Sequence, residues 1–134
     1  MGRIHANAWR QAPLFFNLKC GPKLTAVAGG HARESNEFAS KWGILQAAQS
    51  WQSLIKDPRV GLVDVCVPNY LHAEVSIAAL QAGKHVACEK PLGTNITEAR
   101  EMALAALGAK NGARTFVWFN YRRCPAVALM RDLI

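Results

Sequence analysis

The chain alternates short apolar runs with longer stretches whose apolar residues recur at helical spacing. "LTAVAGG" at 24–30 reads as a strand closed by two glycines. "ARESNEFASKWG" at 32–43 predicts a helix with Phe38, Ala39 and Trp42 on one face and Gly43 as its stop. "QSWQSLIKDP" at 49–58 predicts a short helix capped by Ser50, burying Trp51, Leu54 and Ile55, with Pro58 beyond its end. "VGLVDVCVPN" at 60–69 is nearly continuous in apolar residues, as expected of a strand covered on both faces. Asp64 interrupts it and reads as a hydrogen-bonded or strand-end acid.

"YLHAEVSIAALQAGK" at 70–84 predicts a helix with Val75, Ala78, Ala79 and Ala82 inward and Gly83 as its stop. "HVACEKP" at 85–91 is the next strand. "NITEAREMALAALGAK" at 95–110 opens with N-x-x-E, a start resembling a capping box, and Met102 with Leu104 to Leu107 supplies its buried side. "RTFVWFNY" at 114–121 is rich in aromatic and β-branched residues and predicts a strand. "PAVALMRDLI" at 125–134 begins a last helix with proline in its first turn.

Strands alternating with helices of this length mean βαβ units and a mostly parallel sheet, an α/β fold. In such sheets ligands sit outside the carboxyl ends of the strands. Pro68-Asn69, Glu89-Lys90-Pro91 and Asn120-Tyr121-Arg122 all lie at such ends, so they line one rim.

The rim carries the candidate chemistry. Lys90 is a mobile cation that can orient a hydroxyl or carbonyl, or meet a phosphate. Glu89 can hold an ion pair or fix a ribose hydroxyl. Pro91 fixes the backbone after Lys90, and the bond before it is a candidate for the cis form. The bland alternative is a strand end fraying into a charged, solvated turn. His72 is either a polar residue of a helix start or a neighbour of a cofactor pocket, and Asn69 is either a turn residue or part of that pocket. His5, His31 and His85 show no partner spacing and receive no role.

Composition narrows the classes. The 134 residues are 51% hydrophobic and 19% charged, ordinary for a globular chain, and bound the protein to one domain over 1–134. No apolar run approaches membrane-spanning length, and "MGRIHANAWR" has no apolar signal-peptide core, so a cytoplasmic location is expected. The net charge is +7 with a pI near 9.6, but the sixteen Lys and Arg are scattered, with only Arg122 and Arg123 adjacent. That disfavours nucleic acid and suits an anionic small molecule such as a phosphorylated cofactor. Cys20, Cys66, Cys88 and Cys124 lack metal-site spacing and are read as reduced thiols, with no metal expected.

Taken together, "VDVCVPNYLHAEVSIAALQAGKHVACEKPLGTNITEAREM" and "WFNYRRCPAVALMRDLI" resemble the amino-terminal half of the Gfo/Idh/MocA oxidoreductases. The ordered combination P-N-x-x-H, A-G-K-H-V and E-K-P-L carries the resemblance, which extends from Met1 to Ile134. It implies a Rossmann-like, doubly wound domain binding NAD or NADP, followed by a larger domain with the substrate site. The implied chemistry is hydride transfer between nicotinamide and a carbon bearing a hydroxyl, on a sugar, polyol or related compound. Lys90 matches the lysine near nicotinamide and substrate, the catalytic candidate. Glu89, Pro68, Asn69 and His72 match positions bordering the cofactor, as do Asn120 and Arg122. In a Rossmann fold the turn after the second strand meets the adenosine ribose. No acid stands there before Glu34, and Arg33 suits a 2′-phosphate, which favours NADP over NAD.

The chain also departs from the family pattern. "MGRIHANAW" aligns with the end of the G-x-G-x-x-G motif, Gly2 matching its third glycine. The usual first strand and the two phosphate-facing glycines are not matched, nor is the substrate domain with its catalytic histidine. The expectation is therefore a truncated Rossmann-like domain with an open sheet, inactive as this polypeptide alone. The alternative is a non-catalytic nucleotide-binding or oligomerisation module, with a homodimer through the open sheet as one form.

Overall fold

A computed structural model describes residues 1–134. Eleven regular elements follow one another in the order α1 (Gly2–Phe15), β1 (Ala26–Val27), α2 (Ala32–Trp42), β2 (Gln46–Ala47), α3 (Trp51–Lys56), β3 (Leu62–Val65), α4 (His72–Gln81), β4 (His85–Cys88), α5 (Ile96–Leu107), β5 (Thr115–Val117) and α6 (Pro125–Leu133). Short 3₁₀ turns occupy Asn69–Leu71, Lys110–Gly112 and Asn120–Arg123. Every strand pairing is parallel, so the fold is α/β as the alternation requires. The chain divides into two compact units, Met1–Gly61 and Leu62–Ile134.

In the first unit β1 pairs with β2 through Ala26 opposite Gln46 and Val27 opposite Ala47. Helix α2 stops at Gly43, whose φ of 62° is the left-handed conformation that ends helices, and the Ile44 N–H returns to the Ala39 carbonyl at 2.9 Å. Helix α3 opens on a reciprocal cap: the Ser50 side chain accepts the Ser53 N–H, and the Ser53 hydroxyl oxygen accepts the Ser50 N–H, both at 3.1 Å. After α3, the Asp57 carboxylate accepts the Arg59 guanidinium at 2.7 Å and the Gln46 amide at 2.9 Å, tying the turn to β2.

In the second unit the order is β3-β4-β5. Helix α4 supplies most of the core cover: Ala73, Val75, Ala79 and Leu80 are buried, with Val63, Val65, Val86, Ala87 and Cys88 from the strands and Met102 from α5. Gly83, at φ 73°, ends α4. Helix α5 is capped by Asn95, whose side-chain oxygen accepts the Glu98 N–H at 2.9 Å, while the Glu98 carboxylate reaches back to the Thr94 N–H at 2.7 Å. The second bond thus falls one residue earlier than in a reciprocal cap. Pro125 opens α6 as the sequence predicts.

Several expectations are corrected. The strands are shorter than the apolar runs, because the runs continue into the turns that leave the sheet. Helix α4 begins at His72 after a 3₁₀ turn, not at residue 70. Ala82 is exposed, and Leu80, two residues earlier, is buried instead. Leu104 and Leu107 are also exposed, leaving Met102 as the buried residue of α5. Helix α1 and strand β2 are not among the elements predicted from the sequence. Only Ala6 of α1 is buried, with Ile4 and Leu14 exposed, and β2 is two residues long.

The α5 cap sets two expectations. Asn95→Ala loses about 1 kcal/mol of unfolding free energy in urea titration, the usual worth of such a cap. The Thr94 N–H holds the Glu98 carboxyl below its ordinary pKa, so this contribution is present above the ordinary carboxylate range and lost as pH falls through the lowered value. Amide exchange at Thr94 in acid should accelerate before exchange at Val86 and Ala87 does.

Candidate functional site

The register of the three-stranded sheet brings the rim residues together. Val65, Cys88 and Val117 stand side by side at the ends of β3, β4 and β5. The ladder runs one step further, with the Glu89 N–H donating to the Val65 carbonyl and the Trp118 N–H to the Cys88 carbonyl, each at 3.0 Å. Three segments therefore leave the sheet at one level, carrying Pro68-Asn69, Glu89-Lys90-Pro91 and Asn120-Arg122.

The charged pair at the end of β4 is divided between inside and outside. Glu89 is only 8% exposed, and its carboxylate turns back to accept the Lys90 N–H at 2.8 Å. Lys90 is exposed, and the bond to Pro91 is cis. Such a buried acid on its neighbour's amide is an ordered turn, not a frayed strand end. Past Pro91, Gly93 lies against the start of α5, where an added Cβ would come within 3.0 Å of the Glu98 Cβ and 3.1 Å of the Ala99 nitrogen.

After β3, Pro68 is exposed and its carbonyl accepts the Leu71 N–H at 2.9 Å, closing the 3₁₀ turn. The Asn69 amide oxygen is buried without a hydrogen-bond partner, an acceptor on this rim that a donor could satisfy. His72 is 2% exposed, with Nδ1 2.8 Å from the Pro91 carbonyl and Nε2 3.1 Å from the Val67 carbonyl. After β5, the Asn120 N–H donates to the Trp118 carbonyl at 3.0 Å, and Asn120 and Arg122 are both exposed on the turn that follows.

Beneath the rim Asp64 is the hydrogen-bonded acid the sequence suggests. Its carboxylate accepts the Trp118 indole N–H at 3.0 Å and the Cys66 thiol at 3.7 Å. Burial, then the charges of Asp64 and Glu89, push the Cys66 thiol far up. Burial raises the Cys88 thiol as well. All four cysteines are free, and Cys20 is exposed.

The two remaining candidates lie in the first unit. Gly2 begins α1, and an added Cβ would stand 3.9 Å from the Phe38 ring, ordinary contact that does not by itself demand glycine. Arg33 is exposed on the first turn of α2 and pairs with Glu37 at 2.8 Å, one helical turn along. Gly29 was not among the candidates, yet an added Cβ would come within 2.9 Å of the Ser35 hydroxyl. The signal was the glycine pair directly after the first apolar run.

The ends of three parallel strands thus bring a lysine, a buried acid and an orphan amide oxygen to one level, at the edge of the sheet where open α/β folds take ligands. Residues 1–119 match the Gfo/Idh/MocA oxidoreductase family, described as an NAD-binding Rossmann fold, and the chain belongs to that family. It is 40% identical over 135 residues to levoglucosan dehydrogenase of Pseudarthrobacter phenanthrenivorans, covering 100% of this chain and 34% of that protein. An oxidoreductase domain protein from Kribbella flavida superposes with a TM-score of 0.93 at 48% identity, over 99% of this chain and 36% of that one. Levoglucosan dehydrogenase in complex with NADH and levoglucosan superposes at 0.92 with 38% identity, over 98% of this chain and 35% of that one. The chain thus spans about a third of the length of the curated relatives it matches. No helix is long and apolar enough to cross a membrane.

The raised thiols set an expectation of their own. In the native protein Cys20 reacts with a soluble alkylating reagent at least roughly tenfold faster than Cys66 and Cys88, since thiolate and access are both required. Peptide mass spectrometry after brief labelling reads this, and equal labelling of Cys66 would contradict the burial and charge assigned to it.

Proposed function

We propose that the chain is the nicotinamide-dinucleotide-binding domain of a Gfo/Idh/MocA oxidoreductase, acting as one domain over 1–134, with Lys90 at the reacting end of the cofactor. The observation that carries this reading is the level exit of three parallel strands with an exposed lysine at the central one. When bound, the dinucleotide supplies the hydride acceptor or donor, at its nicotinamide ring. Lys90 donates hydrogen bonds to the oxygen on the reacting carbon and steadies negative charge that gathers there. Glu89 stays turned inward and holds the lysine's backbone. Pro68, Asn69, Asn120 and Arg122 border the cofactor, Asn69 offering its buried amide oxygen to a donor such as a carboxamide N–H or a ribose hydroxyl. The fit of these donors and acceptors to a polar, anionic ligand supports the assignment, as does the +7 net charge.

On this reading two residues of the first unit, Gly2 and Arg33, also serve the dinucleotide. Gly2 begins α1 as the third glycine of the phosphate motif would, and Arg33 stands after β1, at the turn that meets an adenosine ribose in a Rossmann fold, with no acid before Glu34. An exposed pair of the Arg33–Glu37 kind is worth only about 0.3–0.5 kcal/mol, so a 2′-phosphate can draw the guanidinium away. That favours NADP. The reaction is hydride transfer to or from a sugar, polyol or related hydroxy compound. Levoglucosan, bound with NADH in the relative's complex, is of this kind. As this polypeptide alone, the chain binds the cofactor without turning over substrate. The free thiols suit a reducing cytoplasm.

A second reading, a non-catalytic binding or oligomerisation module, rests on the two sheets. β1 and β3 are edge strands, each paired on one side only, and a second copy could pair there. Light scattering distinguishes it, since the mass would double with concentration.

Isothermal titration of the chain with NADPH and NADH tests the first reading. Micromolar binding is expected, NADPH tighter, and Arg33→Ala weakening NADPH by about tenfold while leaving NADH unchanged. Tighter NADH binding would reassign the cofactor. No binding by folded protein would remove the reading, and turnover of a sugar by the chain would remove the inactivity.

A further inference from the structure

Lys90 is useful on a rim only if its backbone is fixed, and the structure fixes it from both sides. Upstream, the Glu89 carboxylate accepts the Lys90 N–H at 2.8 Å. Downstream, the Pro91 carbonyl meets His72 Nδ1, also at 2.8 Å. His72 is the first residue of α4, the helix with the most buried side chains in this unit, and its ring is 2% exposed. It is thus embedded in the part of the unit least able to move.

The ring touches two carbonyls, and carbonyl oxygens only accept. Neutral imidazole has one N–H, so only one of the two contacts can be a full hydrogen bond in that form. The Nδ1 contact to Pro91 is the shorter, 2.8 against 3.1 Å for Nε2 to Val67, so the geometry favours it as the donated bond. With both nitrogens turned to backbone, His72 offers a ligand nothing directly.

We propose that His72 is a positioning residue for Lys90, its Nδ1–H holding the Pro91 carbonyl so that α4 sets where the lysine leaves the rim. The link to the cofactor rests on the function proposed above; the link to the turn does not.

Side-chain geometry supplies a discriminating series. An asparagine amide nitrogen overlies Nδ1 of histidine, and a glutamine amide nitrogen overlies Nε2. His72→Asn keeps the bond to Pro91; His72→Gln keeps the one to Val67; His72→Ala keeps neither. Amide hydrogen exchange over residues 90–93 of the full chain reads the turn without any cofactor, and titration with NADPH and NADH reads its consequence.

Alanine and glutamine should speed exchange at Lys90, Leu92 and Gly93 by about tenfold, the worth of one hydrogen bond, with Val86 and Ala87 little changed. They should weaken binding of the preferred cofactor by a similar factor, while asparagine stays near wild type in both. An unaltered turn in folded His72→Ala, or rescue by glutamine but not asparagine, overturns the proposal. Equal acceleration throughout β4 does so too, since the histidine would then hold the core and not the turn. If none of the variants folds, nitrogen-15 spectra of the wild-type ring decide: a proton on Nδ1 supports the assignment, and one on Nε2 alone overturns it. An altered turn in a chain that binds neither dinucleotide leaves the anchoring intact and removes the cofactor reading instead.

Discussion

The register of β3, β4 and β5 is the constraint on which the candidate site depends. Parallel pairing leaves each strand leaving the sheet in the same direction, but only a level register puts the three exits within reach of one ligand. Val65, Cys88 and Val117 are level, and the next backbone bonds, Glu89 to Val65 and Trp118 to Cys88, carry the ladder past the strands. A slip of one residue would turn Val86 and Cys88 to the opposite face and shift Lys90 away from Asn69 and Asn120. The small and β-branched core residues that cover this sheet, Ala73, Val75 and Ala79 of α4, allow the helix close to it. Packing under the sheet thus sets the register, and the register sets the rim.

Polar groups under the rim have the same effect from the other side. Asp64 in β3 accepts the Trp118 indole from the segment after β5, reaching past β4, the strand between them. An acid in an apolar strand is costly unless it is hydrogen-bonded, and this one spans the sheet at the level where the loops depart. The apolar sequence around Asp64 and the aromatic sequence around Trp118 are therefore parts of one device, although 54 residues separate them.

The sequence made local features legible and left distant ones obscure. Ser50, Gly43, Gly83 and Asn95 were readable as helix punctuation because a cap involves residues three or four apart. The rim was readable for a different reason: the strand-end rule converts sequence position into spatial position once the sheet is known to be parallel. What escaped was whatever depends on the neighbour. Leu104 and Leu107 look like core residues and are exposed, because apolar character does not say which face another element covers. Strand β2 is only Gln46 and Ala47, too short and too polar to show a period. Helix α1 buries only Ala6 and leaves Ile4, Leu14 and Phe15 exposed, so its large apolar residues do not mark its buried face. His72 stood out in the motif, but its two carbonyl acceptors belong to backbone five and nineteen residues away, which no spacing rule encodes.

The adjacent acid and base at the end of β4 gain a physical account from this arrangement. Two opposite charges side by side on a strand end could neutralise each other, and a lysine so engaged would be a poor donor to anything else. Here the acid is buried and occupied by the backbone, while the base is exposed. With the Pro91 carbonyl held against α4, the lysine is the mobile part of an otherwise fixed turn. The result is a rigid base with one long cationic arm, a fixed origin for a mobile charge.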